Sequence, residues 1–199
     1  MNNLVYGVGV NDSEYNVYKT CQVNGRTKIL WICPFYKKWI HMLERCNDQK
    51  LHLKYPTYKD CQIVPEWLIF STFKSWMETQ DWEGKHLDKD LLIKGNKVYG
   101  PDTCIFLDAN INTFITENNS TRGKYLIGVS FEKSSNKFVA QCWSVETKKN
   151  TKIGRYKTEQ EAHQAWLSFK LKQAHILASQ QTDRRVSDAL IARYENYSI

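Results

Sequence analysis

The sequence predicts an α+β protein in which a first part with helices and short strands is followed by a three-stranded antiparallel sheet and a helix. Apolar side chains recur at helical spacing after Pro34 and again after Pro65, which predicts two amphipathic helices. Three alternating segments between residues 125 and 157, separated by turn-rich sequences, predict the sheet. Thr158 and Glu161 then form a capping-box pattern that predicts the start of the final helix.

Further elements are predicted around the two helices of the first part. Two short strands, or an ordered arm, surround the turn sequence at 24–27, and the first helix spans 34–44. The mostly polar segment 47–59 is predicted as a loop. Alternation over 86–92 predicts a strand, and a turn then leads to another structured element that opens at residue 100.

Charge is distributed unevenly along the chain. The 199 residues carry 28 Lys and Arg against 21 Asp and Glu, which gives a formal net charge of +7. Residues 1–120 hold 14 basic and 14 acidic side chains, so residues 121–199 hold the remaining 14 basic and 7 acidic ones. The whole positive excess therefore lies in the second part, where it indicates either a polyanion-binding module or a merely basic surface.

A polar segment marks the predicted domain boundary. Residues 116–124 contain no large apolar side chain and coincide with the step in charge, so we predict a linker there. This divides the chain into a first domain at 1–115, a second domain at 125–175 and a helical tail at 176–199. Packing of the tail against a domain and a dimer contact through it are both open.

Composition excludes several classes of protein. Apolar residues make up 42% of the chain and aromatic residues 13%, which excludes a wholly disordered protein. No stretch of 18 apolar residues is present, so we expect no membrane-spanning segment. The first residues lack the basic and apolar regions of a signal peptide, and we therefore expect a cytoplasmic location.

A candidate cation site lies in the first part of the chain. If 86–92 is a strand, His86, Asp88 and Asp90 share one face because side chains alternate with period two. Two carboxylates and a histidine, followed by Asn96 and Asn112, can bind a hard divalent cation through oxygen. Such a cation beside a general base is what phosphodiester hydrolysis requires. An ordinary charged surface strand is the competing interpretation, and composition alone favours it.

The second part of the chain resembles a known DNA-binding domain. The segments GVSFEKSSNKFVAQC and IGRYKTEQEAHQAW are similar, in this order, to the plant ethylene-response-factor (apetala-type) domain, and the match covers 125–172. In that family the sheet lies in the major groove of double-stranded DNA. The resemblance implies DNA contacts from the residues at matching positions: Ser130, Lys133, Lys137, Gln141, Trp143, Lys152 and Arg155. It implies a core of Val129, Phe138, Val139, Ala140, Ala162 and Trp166.

This match departs from the family on its first strand. Ser130 and Glu132 stand where the family is dense in arginine. The sequence preference of the family is therefore not carried over to this chain. The alternative for each single lysine is an ordinary solvated surface charge.

The first part resembles a family of nucleases. CPFYKKWIHMLERC, PTYKDCQIVPEWLIFSTFKSWM and HLDKDLLIKGNKVYGPDTCIFLDANINTF are together similar to phage-encoded HNH proteins of the His-Me finger class. Those proteins commonly carry the apetala-type module after the nuclease domain, in the order found here. In that class a ββα-metal element holds one divalent cation, usually Mg²⁺, with an Asp-His pair, a middle Asn and a final Asn or His.

The matching positions imply a catalytic set with one departure from the class. Leu87-Asp88-Lys89-Asp90 or, slipped by one residue, Asp88-Lys89 stands at the Asp-His position, and in either alignment the usual histidine is absent. Asp88 and Asp90 are then expected to act as ligands of Mg²⁺ or Mn²⁺ or as the base, and His86 supplies an imidazole from the same face. Asn96 matches the middle Asn and Asn112 the Asn after the element. Lys89 is an alternative phosphate contact.

The resemblance also implies a structural zinc ion. The chain has six cysteines and no C-x-x-C pair, which does not indicate a disulfide framework. Several proteins of the nuclease class carry zinc near the ββα element, and the four cysteines that fall within the resemblance can supply a tetrahedral set. These are Cys33, Cys46, Cys61 and Cys104, with His52 as a substitute for one of them. Buried free cysteines are the competing interpretation.

Taken together, the sequence predicts a DNA endonuclease or nickase of the phage homing type, with Mg²⁺ or Mn²⁺ as cofactor and double-stranded DNA as partner. The competing hypothesis is a catalytically silent DNA-binding protein, such as a regulator or an inhibitor of host defence, on a nuclease scaffold. An RNA-binding protein is a third hypothesis, with Trp143 as the aromatic platform. A homodimer or a host-protein partner is left open.

Overall fold

Two units make up the chain, and the computed structural model describes residues 4–116 and 123–197. Unit 1 comprises Met1–Asn112 and unit 2 comprises Thr113–Ile199. Helices and strands are both present, which confirms the predicted α+β class.

Unit 1 combines short strands with helices. Its strands are β1 (Tyr18–Val23), β2 (Arg26–Ile32), β3 (Gln62–Ile63), β4 (His86–Asp88), β5 (Val98–Tyr99) and β6 (Ile105–Leu107). Its helices are α1 (Pro34–Asn47), α2 (Gln49–Lys54) and α3 (Phe70–Glu78). The β1–β2 and β4–β6 pairs are antiparallel, whereas β3 and β5 form a parallel pair that the sequence did not predict. The predicted turn of the first hairpin is confirmed at Asn24 and Gly25, both of which have positive φ.

Helix α4 (Ala109–Ile115) contains the division between the units. The predicted linker at 116–124 begins directly after this helix, and its residues 117–122 lie outside the described residues. Strand β4, strand β6 and helix α4 follow one another along the chain as strand, strand and helix, apart from the short β5 between the strands.

Aromatic side chains from α1 and α3 form the core of unit 1. Trp39 on α1 and Phe73 on α3 are fully buried, as the two helical stripes in the sequence predicted. The Trp39 indole Nε1 donates a hydrogen bond of 2.7 Å to the backbone oxygen of Trp67, which is itself buried. The core thus satisfies the polar atom of its central tryptophan without water.

The prediction of a loop at 47–59 was wrong. Helix α2 occupies part of it, and a 3₁₀ turn follows at Pro56–Tyr58. Asp48 starts α2, because its side chain accepts hydrogen bonds from the backbone N–H groups of Lys50 and Leu51. The helix has no buried residue, so it leaves no apolar stripe in the sequence by which it could be recognised.

The second predicted helix is interrupted. A 3₁₀ turn at Pro65–Leu68 precedes α3, and Ile69 between them is extended. Val10 causes the break, since its N–H donates to the Leu68 oxygen and its own oxygen accepts from the Phe70 N–H. A bridge to a segment almost 60 residues away is not visible in local periodicity.

The strand predicted at 86–92 is also shorter than expected. Strand β4 ends at Asp88, whose Oδ1 accepts hydrogen bonds from the backbone N–H groups of Asp90 (2.8 Å) and Leu91 (2.7 Å). A side chain that captures the next N–H groups in this way turns the backbone out of the extended conformation.

Unit 2 contains the sheet and helices predicted from the sequence. Its strands are β7 (Val129–Glu132), β8 (Lys137–Ser144) and β9 (Lys149–Tyr156), in the antiparallel order β7-β8-β9. Its helices are α5 (Glu159–Ala178) and α6 (Arg184–Glu195). The capping box of Thr158 and Glu161 is present at the start of α5, as predicted.

The inner face of the sheet packs against α5. Ala140 and Cys142 on β8 contact Ala162 and Trp166 on α5 in one buried cluster. Gly128, before β7, has φ of +78°, and a Cβ at this position would lie 2.0 Å from Trp166 Cδ1. Glycine is therefore required where the chain enters the sheet.

The tail forms α6, which packs against α5. The Ser187 hydroxyl donates 2.9 Å to the Ala178 oxygen, and the Tyr194 hydroxyl donates 3.3 Å to the Phe114 oxygen. Val186, Leu190 and Tyr194 are buried, so the amphipathic spacing of the tail is explained by packing inside unit 2. Throughout the described part of the chain, no helix is long and apolar enough to cross a membrane.

Candidate nucleic-acid interface

The outer face of the β7-β8-β9 sheet carries the predicted DNA-contact residues. Along β8, Lys137, Gln141 and Trp143 are exposed, whereas Ala140 and Cys142 point to the buried side. Directly paired residues of an antiparallel sheet share a face. Gln141 pairs with Lys152, and the next residue pairs complete the face as Val139 with Arg155 and Trp143 with Asn150.

The two ends of this face present different chemistry. Lys133, in the turn after β7, and Lys137 are exposed, and among the described residues neither is in an ion pair. Trp143 is 54% exposed near the other end of β8, although an indole is usually covered in a folded domain. The face thus combines exposed cations with an exposed aromatic ring.

Glu132 forms ion pairs with the other two cations of the face, Lys152 and Arg155. Its carboxylate lies 3.0 Å from Lys152 Nζ, and it accepts hydrogen bonds from Arg155 Nε (2.5 Å) and Nη2 (3.1 Å). These bonds from Arg155, and the further ones from Ser135 and Lys152, hold the pKa of the Glu132 carboxyl well below its usual range. Arg155 and Lys152 are therefore already paired with a carboxylate of the protein itself when a ligand approaches the face.

Val139 departs from the role that the resemblance implied. It is buried, as a core residue should be, but its register opposite Ser130 and Arg155 places it on the outer face. The ion pair between Glu132 on β7 and Arg155 on β9 crosses the middle strand at this level. We attribute the burial of Val139 to these two long side chains rather than to α5.

The predicted catalytic carboxylates hold the loop that follows β4. The Oδ1 atom of Asp88 caps the turn through two backbone N–H groups. Asp90 forms an ion pair with Lys89, whose Nζ also donates 2.8 Å to the Asn96 oxygen. Lys89 is only 5% exposed, so the alternative that it contacts phosphate is not supported.

Asn96 closes the same loop. Its Nδ2 donates to the backbone oxygens of Lys89 (2.8 Å) and Val98 (2.7 Å), and its Oδ1 accepts from the Val98 N–H at 3.1 Å. These hydrogen bonds of the Asn96 side chain all involve backbone groups. A structural role in the loop therefore accounts for this residue without a bound ligand. Asn112 lies on α4, outside this loop.

The donor set around Asp88 and Asp90 does not fit a Mg²⁺ site. Magnesium requires near-octahedral oxygen ligands, but Asp90 faces an ammonium group and one Asp88 oxygen already accepts two N–H groups. Burial, the largest influence, raises the pKa of Asp88 above its ordinary value. In the described ranges, no three His, Cys, Asp or Glu side chains form a group that could hold a metal ion. The cation site stays a prediction.

The four cysteines predicted to bind zinc are reduced and mostly buried. The Cys33 Sγ atom lies 3.8 Å from the Tyr15 hydroxyl, whereas Cys46 is close enough to Cys61 and Cys104 to interact with them electrostatically. Burial raises the pKa of the Cys46 and Cys104 thiols to about 12, which favours the neutral thiol over the thiolate that zinc binds. The zinc site, like the cation site, stays a prediction.

A basic cleft in unit 1 was missed by sequence reasoning. Its cavity, about 380 Å³, is lined by Lys37, Lys38, His41, Arg45, His86 and Leu87. Lys37, His41 and Arg45 recur every four residues along α1, and this spacing was a signal that the overall neutrality of residues 1–120 concealed. His86 completes the cleft from β4, which is the observed position of this predicted catalytic residue.

No protein-family model, curated protein or solved structure matched the chain. The two resemblances therefore remain predictions drawn from the sequence.

Proposed function

We propose that this protein binds double-stranded DNA through the outer face of the β7-β8-β9 sheet. The observation that carries the proposal is the exposure of five predicted contact residues on one face of a sheet whose other face is covered by α5. These residues are Lys137, Gln141, Trp143, Lys152 and Arg155.

The chemistry of the face supports this assignment. Lysine and arginine neutralise phosphates, whereas glutamine and arginine can hydrogen-bond to base edges in the major groove. The major groove admits a β-ribbon, and sheets that read DNA in this way are known. A sheet supported by a helix on its inner face can be inserted without losing its own core.

Salt-dependent binding of the full chain to labelled duplex DNA tests the proposal. Lys133 and Lys137, which form no ion pair within the described residues, predict that log affinity falls with log salt at a slope of about 2 in magnitude, because Glu132 already neutralises charge on Lys152 and Arg155. Fluorescence anisotropy across about 0.05–0.2 M salt measures that slope. Competition with single-stranded RNA separates this proposal from the RNA-binding hypothesis, which Trp143 alone supports.

The matched control for the sheet is a lysine on the helix behind it. Lys172 on α5 is exposed, and α5 covers the inner face, so Lys172→Gln should leave the affinity and its salt slope unchanged. Absence of salt-sensitive binding to duplexes of random sequence, or equal losses from Lys172→Gln and Lys137→Gln, would contradict the proposal.

A metal-dependent endonuclease or nickase is the second candidate function. The succession of β4, β6 and α4 along the chain favours it, since the resembled nuclease class uses a strand, strand and helix element. The engagement of Asp88 and Asp90 with their own loop is what places it second.

A cleavage assay distinguishes the two candidates. We expect the purified protein, incubated with phage and host DNA and with Mg²⁺ or Mn²⁺, to bind without nicking. Metal-dependent nicking that Asp88→Asn abolishes would establish the second candidate in place of a silent regulator or an inhibitor of host defence.

A further inference from the structure

We propose that the basic cleft of unit 1 is a nucleotide-phosphate site, in which α1 and β4 bind the phosphate and the neighbouring tyrosines receive the base. This site is separate from the sheet face of unit 2 and does not depend on its function.

The lining of the cleft selects an anion. Lys37, Lys38 and Arg45 are basic side chains, and no carboxylate belongs to the six lining residues. Within the described part of the chain, none of these three cations is in an ion pair. Phosphate is the anion that arginine and lysine clusters recognise through charge-assisted hydrogen bonds.

Hydrogen bonds from two cations of the cleft join α1 to the segment around β4 and thereby position these cations. Lys38 Nζ donates to the backbone oxygen of Lys85, and Arg45 Nη1 donates 3.4 Å to the Leu87 oxygen. Helix α1 is thereby tied to both sides of His86, whose side chain remains exposed. The positive groups are positioned before any ligand arrives, which reduces the entropy cost of binding.

Repulsion inside the cleft supports the same ligand. Burial and then the charges of Arg45 and Lys37 lower the pKa of Lys38. Burial likewise lowers the pKa of His41, with the nearby cations adding to the effect and Glu44 opposing it. A bound phosphate would relieve this repulsion, because it supplies the negative charge that the lining lacks.

A second cavity, which shares His41 and Arg45 with the first, extends the site. It measures about 240 Å³ and is lined in addition by Glu44, Leu51, Tyr55 and Tyr58. The Arg45 guanidinium lies 5.6 Å from the centre of the Tyr58 ring, and Tyr55 is 45% exposed. Tyrosine rings stack on bases of any sequence, so a nucleobase attached to the bound phosphate has a platform here.

Three probes test the site by isothermal titration of the full chain: inorganic phosphate, adenosine 5′-monophosphate and adenosine. We expect the monophosphate to bind more tightly than inorganic phosphate by about tenfold, the value of one stacked base. Adenosine should bind far more weakly than the monophosphate. Equal affinities for phosphate and monophosphate, or for adenosine and monophosphate, would overturn the assignment.

Two variants separate the two halves of the site. Lys37→Gln should weaken both phosphate and monophosphate by about tenfold, the loss of one charge-assisted hydrogen bond. Tyr55→Ala should weaken only the monophosphate, and Tyr55→Phe should restore it because the ring is kept. Lys37→Gln without effect on either ligand would overturn the proposal.

Matched controls exclude other sources of phosphate binding. Lys50, exposed on α2, lies outside the lining of both cavities, so Lys50→Gln should change nothing. Lys152→Gln should also leave the titration unchanged, which separates the cleft from the sheet of unit 2. A phosphorylated dinucleotide compared with its 5′-hydroxyl form then tests the role of the terminal phosphate: preference for the phosphorylated form supports the site, and no preference opposes it.

Discussion

The outer face of the unit 2 sheet and the loop after β4 were both predicted to carry function, and their polar side chains behave differently. On the sheet, the side chains of Lys137 and Gln141 are exposed, and neither forms an ion pair with another described residue. After β4, the side chains of Asp88 and Asn96 form hydrogen bonds with backbone groups of their own loop. Polar side chains are therefore exposed in one region and bound to their own backbone in the other.

A polar side chain that satisfies neighbouring backbone groups has a sufficient reason to be there, whereas an exposed row on one sheet face does not. The sequence cannot distinguish the two cases, because both appear as polar residues at alternating positions. Variants that remove either kind of residue should then produce different losses.

The largest expected effect comes from breaking the sheet as a whole. Gly128→Ala adds a Cβ beside Trp166 and forces alanine to a φ of +78°, so we expect unit 2 to lose about 2–4 kcal/mol of stability. Urea unfolding of the full chain measures the loss. Gly123→Ala, at a position with open space around it, is the control and should be nearly neutral. Equal stability of both variants would contradict the required glycine.

Removal of the two unpaired lysines should weaken DNA binding next. The double variant Lys133→Gln and Lys137→Gln removes two phosphate-neutralising charges, which predicts a loss of about thirtyfold near physiological salt. The salt slope should also fall by about 2. Anisotropy titrations measure both quantities, and circular dichroism checks that the sheet is intact. An unchanged slope would mean that these lysines do not meet phosphates.

We expect substitutions of Asp88 to change the stability of the protein, because its side chain holds the turn after β4. Asp88→Ala leaves two N–H groups without their acceptor and should cost about 1–3 kcal/mol. Asp88→Asn keeps the acceptor oxygen and removes a half-buried charge, so at neutral pH it should match or exceed the wild-type stability. Urea unfolding of the two variants at the same protein concentration makes this comparison.

The pH dependence of the Asp88→Asn effect follows from the raised pKa. A carboxyl whose folded pKa is raised contributes stability that is present below its unfolded pKa and is lost as pH rises through the folded value. The advantage of asparagine should therefore vanish in acid, where the wild-type carboxyl is neutral too. An advantage that persists unchanged in acid would contradict the role of burial.

The smallest expected effect is a gain. Glu132→Gln removes the carboxylate that occupies Lys152 and Arg155, so these cations become available to phosphate. We expect a severalfold increase in affinity for duplexes of random sequence and a salt slope steeper by about 1 to 2. A loss of affinity instead would mean that Glu132 positions Arg155 for contact with DNA.

The sequence predicted unit 2 well because its signals are local. The capping box, the alternation along β8 and the turn-rich connections each depend on residues close together in the chain. In unit 1 the helix α1 was predicted for the same reason. Helix α2 was not, since an exposed helix started by Asp48 has no apolar stripe.

Non-local contacts account for what could not be predicted. The break at Ile69 depends on Val10, and the basic cleft depends on β4 lying beside α1. Neither Val10 nor β4 is close enough in the sequence to its partner for a local sequence pattern to reveal the contact. For the candidate site, the sequence predicted both the exposed sheet residues and the face on which they lie. The structural role of Asp88 was missed, because the alternating pattern at 86–92 did not reveal the turn that its side chain stabilises.

Gln173 shows what such a contact means for anyone who would redesign this protein. It interrupts the apolar stripe of α5, is 2% exposed, and accepts a hydrogen bond of 2.6 Å from the Val145 N–H through Oε1. A pattern-based design would place leucine there and complete the stripe. That choice would leave the amide after β8 buried without an acceptor, so the apparent flaw in the helix is the correct residue for the strand.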